Sequence, residues 1–299
     1  MPVNHVPFTP AEVAAVRAQL PTVFRDPPVL TGKADRSEVL PSTGGVPGQW
    51  ITATDRVPTP EDGVTIYVHG GGFSISNPPL ELVMAQRLSE ATGRPAFAVD
   101  YRLAPAHPFP AAIDDVVAVY RSLCDQGVPA ERILLVGESA GGTLVLSILL
   151  VLAAAGDALP GGVISVSPVT DFVGDSPSIK ANEGRDVINP AMLGPIATQY
   201  LAGARPDVAP QSPIYGELGG LSPILLAVGA DELLLDDSRR FAAAAEAAGT
   251  PVTLDIYQGL PHVFHAAVLV PAADQLTVAT TYLRRVADWI SALPARGRI

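Results

Sequence analysis

The chain has 299 residues, which is long enough for one large α/β domain or two small ones. Hydrophobic residues make up 48% of it and charged residues 16%, so we expect a globular protein with a large buried core. The formal net charge of −11 argues against nucleic acid and anionic membrane surfaces as partners, because both attract basic patches. The single cysteine, Cys124, excludes an intrachain disulfide, and we expect it in the core of a helix.

The N-terminal residues 1–9 carry neither the basic start nor the apolar stretch of a signal peptide. This predicts a cytoplasmic protein, and we interpret these residues, which include His5, as a disordered terminus. The longest apolar segment, Leu144 to Ala155, contains Ser147 and is too short to span a bilayer. The sequence therefore predicts no membrane span.

Strand and helix signals alternate along the chain. A capping box at Thr9 to Glu12 predicts a first helix from Pro10 to about Leu20. The predicted strands are Gln49–Asp55, Val64–Val68, Ala96–Asp100, Ile133–Val136, Gly162–Ser167, Ile224–Val228 and Val252–Tyr257. The further predicted helices are Leu82–Thr92, Ala111–Gln126, Thr143–Ala155, Pro190–Leu201, Asp237–Ala248 and Ala272–Leu293. The pattern favours an α/β fold with a mostly parallel sheet covered on both faces, interrupted by an insertion at 168–213.

The stretch from Ile133 to Leu146 predicts a strand, a sharp turn and a helix around a G-x-S-x-G pattern. That is the context of a nucleophile elbow, with Ser139 at the apex of the turn. The N–H of Ala140 would then lie at a helix N-terminus, where the dipole favours a developing oxyanion. The alternative is an ordinary glycine-rich turn, because this short pattern also arises by chance.

Three consecutive glycines, Gly70 to Gly72, follow the buried strand that ends at Val68. In a parallel sheet they would present backbone N–H groups at the same edge as Ser139. A flexible loop is the alternative interpretation. The sequence His69-Gly-Gly-Gly beside an elbow is, however, the oxyanion-loop pattern of esterases and lipases.

Three motifs together resemble the hormone-sensitive lipase-like (bacterial family IV) group of α/β-hydrolase esterases: His69 to Phe73, Tyr101 to Ala111, and Gly137 to Gly142. The similarity is collinear from about residue 60 to residue 265. It implies the α/β-hydrolase fold, with a twisted central sheet, helices on both faces and a helical cap. A single domain would span 1–299, with cap elements from about 1–45 and 171–210.

The resemblance also implies a mechanism: attack by Ser139, and oxyanion donors from Gly71, Gly72 and Ala140. The sequence departs from the family at Ala106, where glutamate usually follows the proline. We expect that loss to affect the stability of the loop near Arg102 more than the chemistry.

The general base must come from five histidines. His262 lies on a loop shortly after the strand Val252–Tyr257, where this fold places its catalytic histidine, and it matches the family's His-x-Phe pattern. As base it would take the proton of Ser139 and return it to the leaving alcohol. His265 is the weaker candidate, expected at a helix start or lining the pocket.

The acidic member of a triad could be Asp231 or Glu232, which follow the strand Ile224–Val228. Residue type alone favours Asp231. The resemblance implies a different choice, because many members of the family carry Asp-Pro-Leu with a second acidic pair shortly after it. Ungapped alignment of Asp236-Asp237 on that pair, or from Pro223 through the strand, puts Glu232 on the family's catalytic aspartate, and we prefer Glu232. The other carboxylate would be a solvated loop charge.

Together these features predict a serine carboxylic-ester hydrolase (a carboxylesterase) that cleaves short- to medium-chain esters through an acyl-enzyme, without metal or organic cofactor. Apolar residues in the insertion, such as Ile188 and Ile196, suit an uncharged ester or lactone. A lactone hydrolase or an acetyl hydrolase with the same triad is the alternative within this chemistry. A non-catalytic ligand-binding relative is the alternative from another class, although the presence of His262 argues against it. The apolar C-terminal half, 252–293, could form a homodimer interface or be covered within the monomer.

Overall fold

A computed structural model describes residues 2–25, 43–52, 62–270 and 273–293. Its centre is an eight-stranded sheet with the order β1-β8-β7-β6-β5-β3-β4-β2. The strands are β1 (Val3–Val6), β2 (Gly48–Ile51), β3 (Val64–Val68), β4 (Ala96–Val99), β5 (Ile133–Glu138), β6 (Gly162–Val166), β7 (Ile224–Gly229) and β8 (Val252–Tyr257). Every pairing is parallel except that of β2 with β4.

Helices cover both faces of this sheet. They are α1 (Pro10–Arg25), α2 (Pro78–Thr92), α3 (Ala111–Asp125), α4 (Ala140–Ala155), α5 (Pro177–Ala181), α6 (Pro190–Leu201), α7 (Leu235–Ala247) and α8 (Thr277–Ser291). Two hydrophobic cores result: α3, α4 and α7 pack on one face, and α1, α2 and α8 pack on the other. Successive residues of β5 alternate between them, since Leu134 faces the second core and Leu135 the first.

The predicted fold class is confirmed: the protein is an α/β structure with a mostly parallel sheet. The apolar runs located the central strands because strands buried on both faces need apolar side chains at nearly every position. Helix α2 begins earlier than predicted, with Pro78 in its first turn, a position where the missing N–H of proline does no harm. Helix α8 begins at Thr277, later than predicted. The last residues of the strand predicted at Gln49–Asp55, 53–55, lie outside the described residues.

The prediction of a disordered N-terminus is wrong. Residues Val3–Val6 form β1 and pair in parallel with β8, from Val3 opposite Leu254 to Val6 opposite Tyr257. The Asn4 side chain also donates a 2.8 Å hydrogen bond to Asp255 Oδ1. Part of the segment expected to form a cap, 3–6, is therefore an edge strand of the sheet. Strand β1 also covers the outer edge of β8 within the monomer.

The insertion contains α5, which was not predicted, and α6, which was predicted with the observed limits. The beginning of the insertion, at Thr170 and Ser176, is attached to the start of α7 through the buried carboxylate of Asp237. This carboxylate accepts hydrogen bonds from Thr170 N at 2.8 Å and Ser176 Oγ at 2.7 Å. Burial raises the pKa of Asp237, and the two hydrogen bonds oppose that shift.

Cys124 lies on α3, as expected, but it is half-buried rather than fully enclosed. Burial is the largest effect on its thiol and raises the pKa, so the neutral thiol is favoured.

Val163 in the middle of β6 is fully buried, so its replacement by alanine leaves a cavity between strand and helix. We expect Val163→Ala to lower the free energy of unfolding by about 2–3 kcal/mol, from lost transfer energy plus the cavity. Val173→Ala, at a valine that is 48% exposed, is the matched control and should change it by less than about 0.5 kcal/mol. Urea denaturation followed by circular dichroism measures both. Equal losses in the two variants would contradict this account of the core.

Candidate active site

Ser139 occupies a strained turn between β5 and α4, with φ 52° and ψ −117°. The turn is possible because the neighbouring backbone segments approach one another very closely. A Cβ on Gly137 would lie 2.2 Å from the carbonyl oxygen of Gly141, and a Cβ on Gly141 would lie 2.0 Å from that of Val68. Both glycines of the G-x-S-x-G pattern are thus required by space, and the turn has the geometry of a nucleophile elbow.

Ser139, His262 and Glu232 form one continuous chain of hydrogen bonds. Ser139 Oγ lies 2.9 Å from His262 Nε2, and His262 Nδ1 lies 3.0 Å from Glu232 Oε2. The second oxygen of Glu232 accepts hydrogen bonds from Ser167 Oγ at 2.7 Å and from Gly229 N at 2.6 Å. Both Glu232 and His262 are buried, so the charge of the carboxylate is directed at the imidazole with little screening by water.

Asp231, the alternative acid, points elsewhere. Its carboxylate pairs with Arg17 at 2.9 Å and with Arg185 of the insertion. Among the described residues it makes no hydrogen bond to His262. The structure therefore brings Glu232 to the imidazole and leaves Asp231 in an ion-pair cluster, rather than as the solvated loop charge expected for the second carboxylate.

The glycine loop lies directly against Ser139. A Cβ placed on Gly70 would be 3.3 Å from the Cβ of Ser139, and one on Gly71, where φ is 106°, would be 2.0 Å from the carbonyl oxygen of Ile75. In the part of the chain that the structure describes, the amides of Gly71, Gly72 and Ala140 donate no hydrogen bond within the protein. Unpaired N–H groups next to a serine hydroxyl can receive a negatively charged oxygen.

Residues 65–266 match the family described as the alpha/beta hydrolase fold. The chain belongs to this family. It is 36% identical over 247 residues to an acetyl-hydrolase from Streptomyces hygroscopicus, a match that covers 81% of each chain. It is 31% identical over 206 residues to an ethyl acetate hydrolase from Pseudomonas putida, covering 67% of this chain and 65% of that relative.

The solved structures that are similar to this α/β hydrolase include members of the hormone-sensitive lipase group. A hormone-sensitive lipase from a metagenome library is 32% identical with a TM-score of 0.81, covering 96% of this chain and 94% of the other. An esterase from the bacterial hormone-sensitive lipase family is 31% identical with a TM-score of 0.80, covering 96% and 99%. The resemblance inferred from the three sequence motifs is confirmed, as is the prediction of a carboxylic-ester hydrolase.

Sequence reasoning missed a second buried ion pair of the hydrolase, beside the serine. Glu138, the residue before Ser139, pairs through Oε2 with His265 Nε2, and Tyr67 donates a 3.0 Å hydrogen bond to its other oxygen. Burial is the largest effect on the pKa of Glu138 and raises it, but the charge and hydrogen bonds of His265 and Tyr67 together lower it. An acidic residue inside the elbow motif was the available signal. His265 was expected to begin a helix or line the pocket, and it lies buried in a 3-10 helix, Phe264–Leu269.

The pKa of His262 is raised above its ordinary value by opposing effects. Burial is the largest single effect and lowers it, since a desolvated imidazolium is disfavoured. The hydrogen bond and charge of Glu232 raise it, as do the charges of Asp186 and Glu138, and these effects together prevail. A carboxylate at Nδ1 holds the ring proton there, which leaves Nε2 free to accept the proton of Ser139.

Across the described ranges, no group of three histidine, cysteine, aspartate or glutamate side chains is arranged to hold a metal ion. No helix within the same part of the hydrolase is long and apolar enough to cross a membrane.

We expect Gly141→Ala to destabilise the elbow, because the new methyl group collides with the backbone of β3 at Val68. The loss should be about 3 kcal/mol or more of unfolding free energy, or failure to fold. Gly194→Ala in α6 is the matched control, since a Cβ there meets nothing within 4 Å. Because alanine is the better helix former, that variant should be neutral or slightly more stable. Thermal unfolding of the two variants tests this, and equal melting temperatures would contradict the packing argument.

Proposed function

We propose that this hydrolase cleaves small, uncharged carboxylic esters with short acyl groups through an acyl-enzyme formed on Ser139. The observation that carries the proposal is the hydrogen-bonded chain from Ser139 through His262 to Glu232, beside three amides that have no partner in the described protein. The glycine loop and the serine follow the adjacent strands β3 and β5, and the histidine follows β8 of the same parallel sheet. All three lie at the carboxyl ends of these strands, where open α/β sheets bind ligands.

In the first half of the reaction, Ser139 Oγ attacks the carbonyl carbon of the ester while its proton passes to His262 Nε2. The carbonyl oxygen becomes an oxyanion that accepts hydrogen bonds from Gly71, Gly72 and Ala140. Each such donor is typically worth about a hundredfold to a thousandfold in rate. The tetrahedral intermediate then expels the alkoxide, which takes the proton from His262 and leaves as the alcohol.

In the second half, a water molecule gives one proton to His262 Nε2 and attacks the carbonyl carbon of the acyl group on Ser139. The intermediate collapses, the C–O bond to Ser139 breaks, and the proton returns from His262 to Ser139 Oγ. The products are the carboxylic acid and the free enzyme. Glu232 holds the imidazole in place and stabilises the imidazolium formed in each half.

The preference for short acyl groups is supported by the seating of α6 over the glycine loop. Ile196 on α6 lies against Gly72, with its Cδ1 3.3 Å from the position that a Cβ on Gly72 would take. The helix is attached there by Tyr200, whose ring stacks on Phe73 at 3.9 Å between centroids, and whose carbonyl oxygen accepts a hydrogen bond from Phe109 N. An apolar wall this close to the oxyanion donors would restrict the size of the acyl group, which supports a preference for acetyl and similarly small groups. We assign α6 and its flanking residues to the cap.

The decisive test compares Glu232→Ala with Asp231→Ala in p-nitrophenyl acetate hydrolysis, using Ser139→Ala as the inactive reference. Glu232→Ala should lower kcat by at least about a hundredfold, because His262 loses the carboxylate that orients the imidazole and stabilises its protonated form. Asp231→Ala should lower it by less than about fivefold, since Asp231 contacts arginines rather than the imidazole.

Turnover by purified Ser139→Ala comparable to that of the wild-type protein would overturn the mechanism. A collapse of activity in Asp231→Ala with retention in Glu232→Ala would transfer the acid role to Asp231. A series of esters from acetate to decanoate on the wild-type protein tests the acyl preference, which fails if rates rise steadily with chain length.

Activity should depend on pH through His262, which acts only when its Nε2 is unprotonated. The value of kcat/KM should therefore fall as pH is lowered through the pKa of His262. Since that pKa is raised, the midpoint should lie above 6.5, the ordinary value for histidine. Initial rates in buffers of constant ionic strength from about pH 5 to about pH 9 measure it. A flat profile over this range would exclude His262 as the base.

A further inference from the structure

Two loops carry the acid and the base, and they follow neighbouring strands of the sheet. Glu232 follows β7 and His262 follows β8. The loops join directly near their beginnings, where Asp231 N donates a 3.0 Å hydrogen bond to Leu260 O. Farther along, the link between them is made by a residue of the insertion.

That residue is Asp186. Its Oδ1 accepts a 2.7 Å hydrogen bond from the backbone N–H of His262, and its Oδ2 accepts one of 2.7 Å from the backbone N–H of Leu233. Leu233 is the residue directly after Glu232. One carboxylate therefore holds the backbone of the base and the backbone next to the acid. The side chains of the base and the acid contact each other separately, at 3.0 Å.

The segment around Asp186 is itself fixed to the acid loop. Asn182 donates through Nδ2 to the carbonyl oxygens of Ala230 and Glu232, at 3.1 and 2.8 Å. Arg185 pairs with Asp231, and its carbonyl oxygen accepts a hydrogen bond from Arg17 of α1 at 2.9 Å. Asp186 thus reaches His262 from a rigid support, and a displacement of its carboxylate would move both loops.

The negative charge of Asp186 also acts on the imidazole of His262. The other charged groups around His262 are Glu232 at Nδ1, Glu138 with its partner His265 at the end of β5, and the pair of arginines on Asp231. Asp186 adds to these groups an anion from the insertion. Its negative charge stabilises the protonated imidazole of His262.

We propose that Asp186 is a positioning residue of the triad: its carboxylate fixes the geometry between Glu232 and His262 and supplies negative charge to the imidazole. The inference rests on the proposed function. It makes Asn182, Arg185 and Asp186 of the insertion part of the catalytic scaffold rather than part of a substrate-binding cap. The hydrogen bonds that support the proposal are donated by backbone amides. They therefore depend on the carboxylate of Asp186 and not on the side chains of the donor residues.

The test uses Asp186→Ala, Asp186→Asn and the control Glu183→Gln in the full-length protein. His262 N and Leu233 N donate to different oxygens of Asp186. Asparagine has an NH₂ group in place of one of these oxygens, so in this geometry it can accept from only one of the two amides. Glu183 is exposed on the same segment, so its substitution makes the same change of charge without these contacts. The readouts are kcat, KM and the pH midpoint of kcat/KM for p-nitrophenyl acetate, with melting temperatures to identify folded variants.

We expect both Asp186 variants to lose about tenfold to a hundredfold in kcat while KM changes by less than about threefold, because the misplaced base affects the transition state. Their pH midpoint should move to lower pH, since an anion that favours imidazolium has been removed. Glu183→Gln should match the wild-type protein in all three quantities. If the alanine variant does not fold, the asparagine variant alone decides the outcome.

Wild-type kcat and pH midpoint in a folded Asp186 variant would overturn the inference. So would a loss of activity with an unmoved midpoint, or an equal midpoint shift in Glu183→Gln, because a general effect of structure or charge would then suffice. Failure of the proposed function is a separate result: the wild-type protein would be inert on every ester, or Ser139→Ala would remain active.

Discussion

The close approach of α4 to the ends of β3 and β5 is the constraint on which the site depends. At the elbow, backbone atoms of three elements meet at distances that leave no space for a methyl group at Gly137 or Gly141. The strain at Ser139 is sustained because two central strands and a helix buried along most of its length surround it. The same contact brings the glycine loop after β3 beside the serine, so the nucleophile and its oxyanion donors are positioned by one packing arrangement.

Around this turn the protein places several carboxylates with little access to water, and each is satisfied differently. Glu232 accepts from a serine hydroxyl, a backbone amide and the imidazole, whereas Glu138 is paired with His265 and Tyr67. Asp237 holds the beginning of the insertion through backbone and hydroxyl donors. A buried carboxylate that lost its donors would be costly, so these networks stabilise one arrangement of the loops and make the alternatives unfavourable.

The sequence was sufficient for the central strands and for the nucleophile and base candidates, because each is encoded by a local pattern. A doubly buried strand needs a continuous apolar run, and an elbow needs glycines at fixed spacing around a serine. The preference for Glu232 over Asp231 came from alignment with the family's spacing, and the structure places Glu232 rather than Asp231 beside the imidazole. It could not come from residue type, because both carboxylates are chemically capable of the role.

Other features depend on contacts between distant parts of the chain, and no local pattern marks them. The pairing of Glu138 with His265 joins the elbow to the segment after His262, and the contact of Asp186 with the His262 loop spans 76 residues. Strand β1 was missed for the same reason: four residues with two polar side chains carry little signal until β8 lies beside them. Tertiary context decides such segments.

Strand β1 also places a constraint on the order of folding. Asn4 and its partner Asp255 are 251 residues apart, so β1 leaves the ribosome long before the strand with which it pairs. Closing so long a loop is entropically costly before the rest of the sheet exists. During synthesis the N-terminal strand therefore waits without its partner, and the outer edge of β8 is open to other strands until β1 docks. Completion of this edge is a late event, in which two segments far apart in the chain meet.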